Sequence, residues 1–185
     1  LEELLWSRVG AAVLTSATLQ ACGSFDLFLE ESGLLERQEV KLVSLPSPFD
    51  YPNRAELHLP SIRHHPRKSE EHSEEVAALL PDLVSGHLGV LVLFASARQM
   101  HRVAELVPDW LREAILVQGS MSKRELLQCH RAKIDEGQPS VLFGLASLSE
   151  GVDLPGDYCT HVVVVKLPFA VPGEPREEAR REWIE

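Results

Sequence analysis

The fold is decided by Ser140-Val-Leu-Phe143 and the residues that follow it, Gly144-Leu-Ala-Ser-Leu-Ser-Glu-Gly-Val-Asp153. The first stretch is a short apolar run between Pro139 and a glycine, which predicts a buried strand. The second stretch then forms the loop that leaves this strand. In open α/β sheets the loops at this end of the strands line the crevice in which ligands bind. We therefore expect a binding loop at residues 144–153.

Apolar runs and helical patterns alternate through the second half of the chain. Residues 89–94 are almost continuously apolar, as expected of a strand covered on both faces, and residues 97–107 carry apolar side chains at helical spacing. Ser122 and Glu125 fit a capping box at the start of a later helix. This helix is predicted at 122–136, and three further strands are predicted at 114–117, 141–143 and 161–165. The order predicts an α/β fold with a doubly wound, mainly parallel sheet flanked by helices.

The first half of the chain gives weaker patterns. Residues 9–14 form an apolar run that leads into Thr15-Ser-Ala-Thr18, which predicts a buried strand that ends in a hydroxyl-rich turn. Hydroxyls in such a turn either satisfy backbone groups or bridge two binding partners. A helix is expected at 25–32. Two more strands are predicted at 40–45 and 55–59, on either side of a proline-rich loop at 46–52, and a helix at 74–84 that Pro81 kinks or divides.

Composition limits the class of protein. The 185 residues are 44% hydrophobic, which suits one well-buried core with at most a piece of a second domain. The net charge of -10 argues against binding nucleic acid through bulk charge, so any phosphate contact has to be local. Cys22, Cys129 and Cys159 are too few and too far apart for a disulfide framework or a metal-ligand set. No apolar run is long enough for a membrane span, and we expect a cytoplasmic protein.

Three strand ends should bring phosphate-binding groups to the same edge of the predicted sheet. Ser96 and Arg98 follow the first strand, Gln118 and Gly119 follow the second, and Ser147 follows the third. A helix start with free N–H groups, a hydroxyl and a nearby arginine binds anions. A few amide and hydroxyl contacts of this kind hold a sugar-phosphate backbone without reading its bases.

The same groups also have purely structural interpretations. Ser96 and Gln99 fit a second capping box, in which the hydroxyl only satisfies helix N–H groups. Further positive charge for this edge comes from Arg102, Lys123, Arg124 and Arg131. A solvated helix face explains the last three equally well.

The groups that hydrolyse a nucleotide are absent from the sequence. There is no G-x-x-x-x-G-K-[ST] loop, and the nearest spacing, from Gly151 to Gly156, is followed by Asp157 and not by lysine. No apolar strand ends in a pair of acidic residues that could hold Mg²⁺, and no nucleophile triad is supported. We predict that this chain by itself hydrolyses nothing and holds no metal.

The order of the motifs resembles the second RecA-like motor domain of the superfamily-two iron-sulfur DNA helicases of the XPD and DinG type, the bacterial DinG and YoaA branch in particular. Val13-Leu-Thr-Ser-Ala-Thr-Leu19 resembles helicase motif III, Leu91-Val-Leu-Phe-Ala-Ser-Ala-Arg98 resembles motif IV, and 141–157 with Glu150-Gly-Val-Asp153 resembles motif V. Shorter matches lie at 24–28, 32–34, 47–49, 117–119, 166–169 and Pro172.

The resemblance implies an ATP-dependent DNA helicase that moves 5′ to 3′ on single-stranded DNA, with ATP and Mg²⁺ between two RecA-like domains. It implies that Glu150, Gly151 and Asp153 bind ATP. The DNA backbone would be contacted by Ser96, Arg98, Gln118, Gly119 and Ser147. The two sites would be coupled through Thr15, Ser16, Ala17 and Thr18.

The resemblance also implies a domain organisation. Residues 1–22 would end the first RecA-like domain, and residues 23–185 would form the second one and stop before motif VI. The family's [4Fe-4S] cluster would belong to the first domain, which is also the expected partner within the same polypeptide. A bacterial, cytoplasmic and monomeric protein is expected.

Two other functions fit the same sequence. One is an α/β domain that has no motor activity and serves as a docking module for a protein partner. A Gln-x-x-Gly-Arg-x-x-Arg segment after residue 185 would favour the motor over the docking module. A small-molecule-binding doubly wound fold is disfavoured, since no G-x-G-x-x-G turn follows any predicted strand.

Overall fold

The computed structural model describes residues 2–167. The chain divides into two compact units, Leu1–His58 and Leu59–Glu185. Phe169 and Pro172, which belong to the last segment of the family resemblance, lie outside the described residues.

The first unit is organised around a small apolar cluster. Trp6 packs with Leu29 and Leu34, and its indole Nε1 donates a hydrogen bond to the Ser32 carbonyl at 2.7 Å. Pairing the indole N–H in this way allows the ring to be buried. The regular elements of the unit are a π-helical turn, Glu2–Trp6, and the helices α1 (Asp26–Ser32) and α2 (Tyr51–Arg54). The helix expected at 25–32 is confirmed, and α2 begins inside the predicted proline-rich loop.

The strands predicted at 9–14, 40–45 and 55–59 are wrong: none of these segments is a strand in the described residues. The side chain of Val13 is 91% exposed and that of Leu57 is 83% exposed. A strand is stable only when neighbouring strands pair with its peptide groups and another layer covers one face of the sheet. The part of the first unit that the structure describes has no such neighbour for these segments.

A parallel sheet forms the centre of the second unit. Its strands are β1 (Gly89–Leu93), β2 (Ile115–Val117), β3 (Ser140–Gly144) and β4 (His161–Val164), in the order β2-β3-β1-β4. Every neighbouring pair is parallel. The carboxyl ends of the strands therefore meet at one edge, here called the rim: the residues that directly follow Leu93, Val117 and Gly144.

Helices cover both faces of this sheet. Side chains alternate along a strand, so Val90 and Val92 of β1 face one layer and Leu91 faces the other. The first layer contains α3 (Ser69–Val84), α4 (Ala97–Leu106) and α5 (Asp109–Ala114). The second layer contains α6 (Lys123–Asp135) and α7 (Ala146–Ser149). The predicted doubly wound α/β architecture is confirmed and agrees with a RecA-like helicase domain.

Two helix predictions need correction. The helix expected at 74–84 begins at Ser69, because Glu70 and Glu71 in its first turn interact favourably with the positive end of the helix dipole. Pro81 does not divide it, since it lies in the last turn, where one missing N–H removes only one bond. α5 was not predicted, because six residues are too few to show a helical period.

Candidate nucleotide and nucleic-acid interface

Gln118 joins two of the rim segments. It directly follows β2, and its side-chain Oε1 accepts a hydrogen bond from the Leu145 N–H at 2.8 Å. Its Nε2 donates to the Ser147 Oγ at 2.7 Å. Because β2 pairs with β3, the residues that follow these two strands are neighbours. The structure thus brings the predicted DNA contacts Gln118 and Ser147 together.

The loop after α7 presents three polar positions to solvent. Val152 and Leu154 pack on the apolar cluster of the second layer, so Asp153 between them points outward. Glu150, Gly151 and Asp153 are exposed. Gly151 has φ 66, in the left-handed region that glycine adopts without strain, and no atom lies within 4 Å of where a Cβ would be. The space around this backbone is open to a ligand.

Side chains of helix α6 hold residues 147–153 by hydrogen bonds to the main-chain carbonyls of that segment. The Lys123 Nζ donates to the Ser147 carbonyl at 2.7 Å and reaches the Gly151 carbonyl at 3.5 Å. Arg131 Nη2 donates to the Asp153 carbonyl at 2.6 Å, and its guanidinium lies 5.7 Å from the centre of the Tyr158 ring. These contacts were missed at the level of sequence. The available signal was the spacing of Lys123 and Arg131, eight residues apart and therefore on one helix face.

The nucleotide-binding candidates do not all lie at the rim. Lys123 is the first residue of α6, close to the rim, and Gly151 lies beside it. Arg131 is about 12 Å further along the helix, at 1.5 Å per residue. Asp153, bonded to Arg131, therefore lies on the flank of the second layer.

The end of β1 provides a hydroxyl and a cation. Ser96 and Arg98 are exposed, and Arg98 has no ion pair within residues 2–167. Ser96 precedes α4 without capping it, so the predicted Ser96–Gln99 capping box is wrong. The Gln99 side chain is buried and contacts the Nδ1 of buried His72 at 2.7 Å, a packing partner that the local pattern could not reveal. No hydrogen bond in the described residues joins Ser96 or Arg98 to Gln118.

A buried histidine ties α6 to the strand beneath the loop. His130 is fully buried; its Nδ1 lies 2.8 Å from the Ser140 Oγ and its Nε2 lies 2.7 Å from the Tyr158 carbonyl. The carbonyl can only accept, so Nε2 carries the proton and Nδ1 accepts from the hydroxyl. Burial lowers the pKa of His130 below its usual value and keeps the ring neutral. This neutral ring fixes Tyr158, on which Arg131 rests.

Comparison with known proteins agrees with this geometry. The family model of the helicase C-terminal domain matches residues 82–185, which include the described sheet and the loop. The chain belongs to this helicase family. The whole chain is 39% identical over 188 aligned positions to the ATP-dependent DNA helicases DinG of Photobacterium profundum and Escherichia coli. These alignments cover 100% of the chain but only 27% and 26% of the two relatives.

The match confirms the resemblance to the XPD and DinG type. It also bears on the competing functions, because a helicase C-terminal domain is a portion of a motor. The roles of individual residues stay predictions.

The residues predicted to couple the two sites lie in the first unit of the helicase chain. The Ser16 and Thr18 hydroxyls are 3.0 Å apart, and the Thr18 N–H donates to the Ser16 Oγ at 3.1 Å. This local turn matches the structural interpretation, in which the hydroxyls satisfy nearby groups. Coupling through Thr15, Ser16, Ala17 and Thr18 stays a prediction.

The part of the helicase chain that the structure describes contains no cluster of possible metal ligands. No three His, Cys, Asp or Glu side chains there lie close enough to hold an ion together. Cys22, Cys129 and Cys159 are free thiols. Every helix within residues 2–167 is too short or too polar to span a bilayer.

Proposed function

We propose that the chain is the C-terminal motor-domain portion of an ATP-dependent DNA helicase that moves 5′ to 3′ along single-stranded DNA. One observation carries the proposal: the loop that begins at the end of β3 contains both Ser147, bonded to Gln118 at the rim, and the exposed Gly151. A DNA-facing hydroxyl and a nucleotide-facing backbone thus lie four residues apart. The relatives named ATP-dependent DNA helicase DinG support the same activity.

The proposed DNA contacts follow from donor and acceptor chemistry. The Gln118 amide donates to the Ser147 Oγ, so the Ser147 hydroxyl proton is free to donate to a phosphate oxygen. Arg98 adds a cation at the neighbouring strand end, whereas Arg102 is paired with Glu70 and Glu105. A protein with a net charge of -10 needs such local contacts to bind a polyanion. None of these groups reads a base, which suits movement along any sequence.

The proposed nucleotide contacts come from the loop after α7. Open space at Gly151 lets a ligand approach the main chain, and the Asp153 carboxylate is exposed while its carbonyl is held by Arg131. These residues fit one wall of an ATP site. The other wall, with Mg²⁺, would come from the first RecA-like domain of the same polypeptide, because the acidic pair that holds Mg²⁺ is absent here.

The iron-sulfur cluster does not fit this chain. A [4Fe-4S] cluster is held by four cysteine thiolates, and the chain has three cysteines at scattered positions. Any cluster would belong to another part of the polypeptide, and no step proposed here passes through it.

The proposed domain boundary lies near residue 22. Residues 1–22 would end the first motor domain, where the exposed Val13 would find strand partners, and residues 23–185 would form the second. In this proposal Thr15 to Thr18 couple the two domains. A monomeric protein of the bacterial cytoplasm completes the proposal.

The test uses the full-length protein and two substitutions. Asp153→Ala should lower DNA-stimulated ATP turnover about tenfold or more, the scale of one lost contact to a charged group. Asp82→Ala removes an exposed carboxylate from α3 and should behave like wild type. Unchanged turnover in Asp153→Ala would remove this residue from the nucleotide site.

Arg98→Ala tests the DNA contacts in the same protein. We expect weaker binding of single-stranded DNA, similar for all sequences, and a salt dependence reduced by about one phosphate contact. An unchanged salt slope would contradict the assignment. Full-length wild-type protein without any DNA-stimulated ATPase would favour the docking module.

A further inference from the structure

We propose that Lys123 is a positioning residue that couples the DNA-facing hydroxyl of Ser147 to the nucleotide-facing backbone at Gly151. The inference rests on the proposed function and assigns the link between its two binding surfaces. The ammonium group of Lys123 lies between two carbonyls of the same loop, 2.7 Å from the Ser147 oxygen and 3.5 Å from the Gly151 oxygen. Lys123 thus bonds to backbone carbonyls, and the polar side chains of the loop stay available for ligands.

The Ser147 carbonyl requires such a partner. Ser147 lies in α7, a helix of four residues, and the last four carbonyls of a helix have no acceptor role within it. A cation is also favoured at the negative end of a helix. Lys123 therefore stabilises the end of α7 and with it the orientation of the Ser147 hydroxyl.

The anchor of Lys123 is rigid. α6 starts with a complete capping box: the Ser122 Oγ accepts from the Glu125 N–H, and the Glu125 carboxylate accepts from the Ser122 N–H at 3.0 Å. Leu126, one turn later, is fully buried in the second layer. Because the helix is anchored at this point, a movement of the loop is taken up by the Lys123 side chain and its contacts.

In this proposal a bound nucleotide alters the weaker contact of Lys123, the one with the Gly151 carbonyl. At 3.5 Å the bond to the Gly151 carbonyl is long, whereas the bond to Ser147 is at the optimum. A nucleotide that shifts Gly151 changes how the ammonium is shared between the two oxygens. The Lys123 side chain then transmits the shift of Gly151 to Ser147. Arg131 holds the far end at the Asp153 carbonyl, so the movement is confined to residues 147–153.

The alternative role for Lys123 is a direct contact with DNA phosphate. Both roles predict a defect when the charge is removed, but they differ in the salt dependence of DNA binding. A direct contact contributes about one unit to the salt slope, and a positioning residue contributes none. The position of the ammonium between two carbonyls favours positioning.

The experiment compares Lys123→Met, Lys123→Arg and Arg124→Met in the full-length protein. Arg124 is the matched control, since it is adjacent, exposed and without a hydrogen-bond partner in residues 2–167. In Lys123→Met we expect the stimulation of ATP turnover by single-stranded DNA to fall about fivefold or more, the usual scale of coupling between two sites. The salt slope of DNA binding should not change. Lys123→Arg should restore most of the stimulation, and Arg124→Met should match wild type.

The inference would be overturned by wild-type stimulation in Lys123→Met, or by a reduced salt slope, which would make Lys123 a DNA contact. A separate measurement, which does not depend on helicase activity, tests the contacts of Lys123 with the loop. Hydrogen exchange of the amides at 147–153 should be faster in Lys123→Met than in Arg124→Met, with the strands unchanged. If single-stranded DNA does not stimulate ATP turnover in the wild-type protein, the proposed function is refuted. If hydrogen exchange at 147–153 is unchanged in Lys123→Met, the positioning role of Lys123 is refuted.

Discussion

Two segments whose sequences both predict a strand differ in the structure, since only one of them forms a strand. Residues 55–59 alternate apolar and polar side chains, residues 89–93 are a continuous apolar run, and both patterns predict strands. Gly89–Leu93 forms the central strand β1, with Val90 and Val92 fully buried. Leu57 is 83% exposed and its segment is not a strand. The difference lies in the neighbours: β1 is paired on both sides, with β3 and with β4.

A strand pattern in the sequence indicates which side chains a segment is able to bury. The segment forms a strand only when neighbouring strands are present to pair with it. Ordering each residue costs about 1–2 kcal/mol of backbone entropy, which only shared burial and hydrogen bonds offset. In the second unit two helical layers supply that burial.

Truncating a central side chain should separate the two segments most clearly. Phe143 is fully buried, 4.9 Å from the Phe94 ring centre, so Phe143→Ala should lower the free energy of unfolding by about 3–5 kcal/mol. Leu57→Ala should change it by no more than about 0.5 kcal/mol. Urea unfolding of the chain, followed by circular dichroism, measures both. Equal losses would mean that residues 55–59 are packed as well as β1.

A single added methyl group gives a smaller contrast. A Cβ at Gly89 would overlap the carbonyl groups of Asp157 and Tyr158, which are backbone atoms and cannot rotate away. Gly89→Ala should therefore cost about 1–3 kcal/mol of unfolding free energy. At Gly10 no atom lies within 4 Å of the added Cβ, and Gly10→Ala should be close to neutral. A neutral Gly89→Ala would show that the segment at 157–158 does not close on β1.

The smallest expected effect is a pH dependence confined to the second unit. Burial lowers the pKa of His130 and of His72 below the ordinary 6.5, so the unfolded chain takes up protons first as the pH falls. Their contribution to stability is complete above pH 6.5 and is lost as the pH falls from 6.5 towards the folded pKa values. The first unit has one histidine, His58, which is exposed.

Urea midpoints at about pH 7.5 and about pH 5.5 measure this dependence, in a range where carboxylates contribute little. The midpoint should decrease at the lower pH, and His130→Gln should reduce that decrease. A midpoint that rises as the pH falls would contradict the neutral, buried His130.

The sequence predicted those parts of the fold that depend on local pattern. All four strands of the sheet were expected within one or two residues, as was the capping box of Ser122 and Glu125, since apolar runs and caps are local signals. The carboxyl-end loop at 144–153 followed from the same logic. Gln118 and Ser147 were expected at one edge, and parallel pairing of β2 and β3 makes them neighbours.

Contacts between distant residues could not be predicted in this way. Gln99 fits a local cap in sequence, but its partner is His72 on another helix. For Lys123 and Arg131 the sequence left open a phosphate-binding edge or a solvated helix face, and only the folded chain places carbonyls of the loop beside them. Asp153 was expected with the rim residues and lies on the flank, because Val152 and Leu154 draw the loop down over the apolar layer.

We propose that the loop at 144–153 contacts both DNA and nucleotide. Hydrogen exchange of the full-length protein tests it most directly, with saturating single-stranded DNA or a non-hydrolysable ATP analogue added separately. Both ligands should slow exchange in the peptide that covers 144–153, and DNA should also slow exchange at 118–120. If either ligand binds at saturation and leaves 144–153 unprotected, the claim is contradicted.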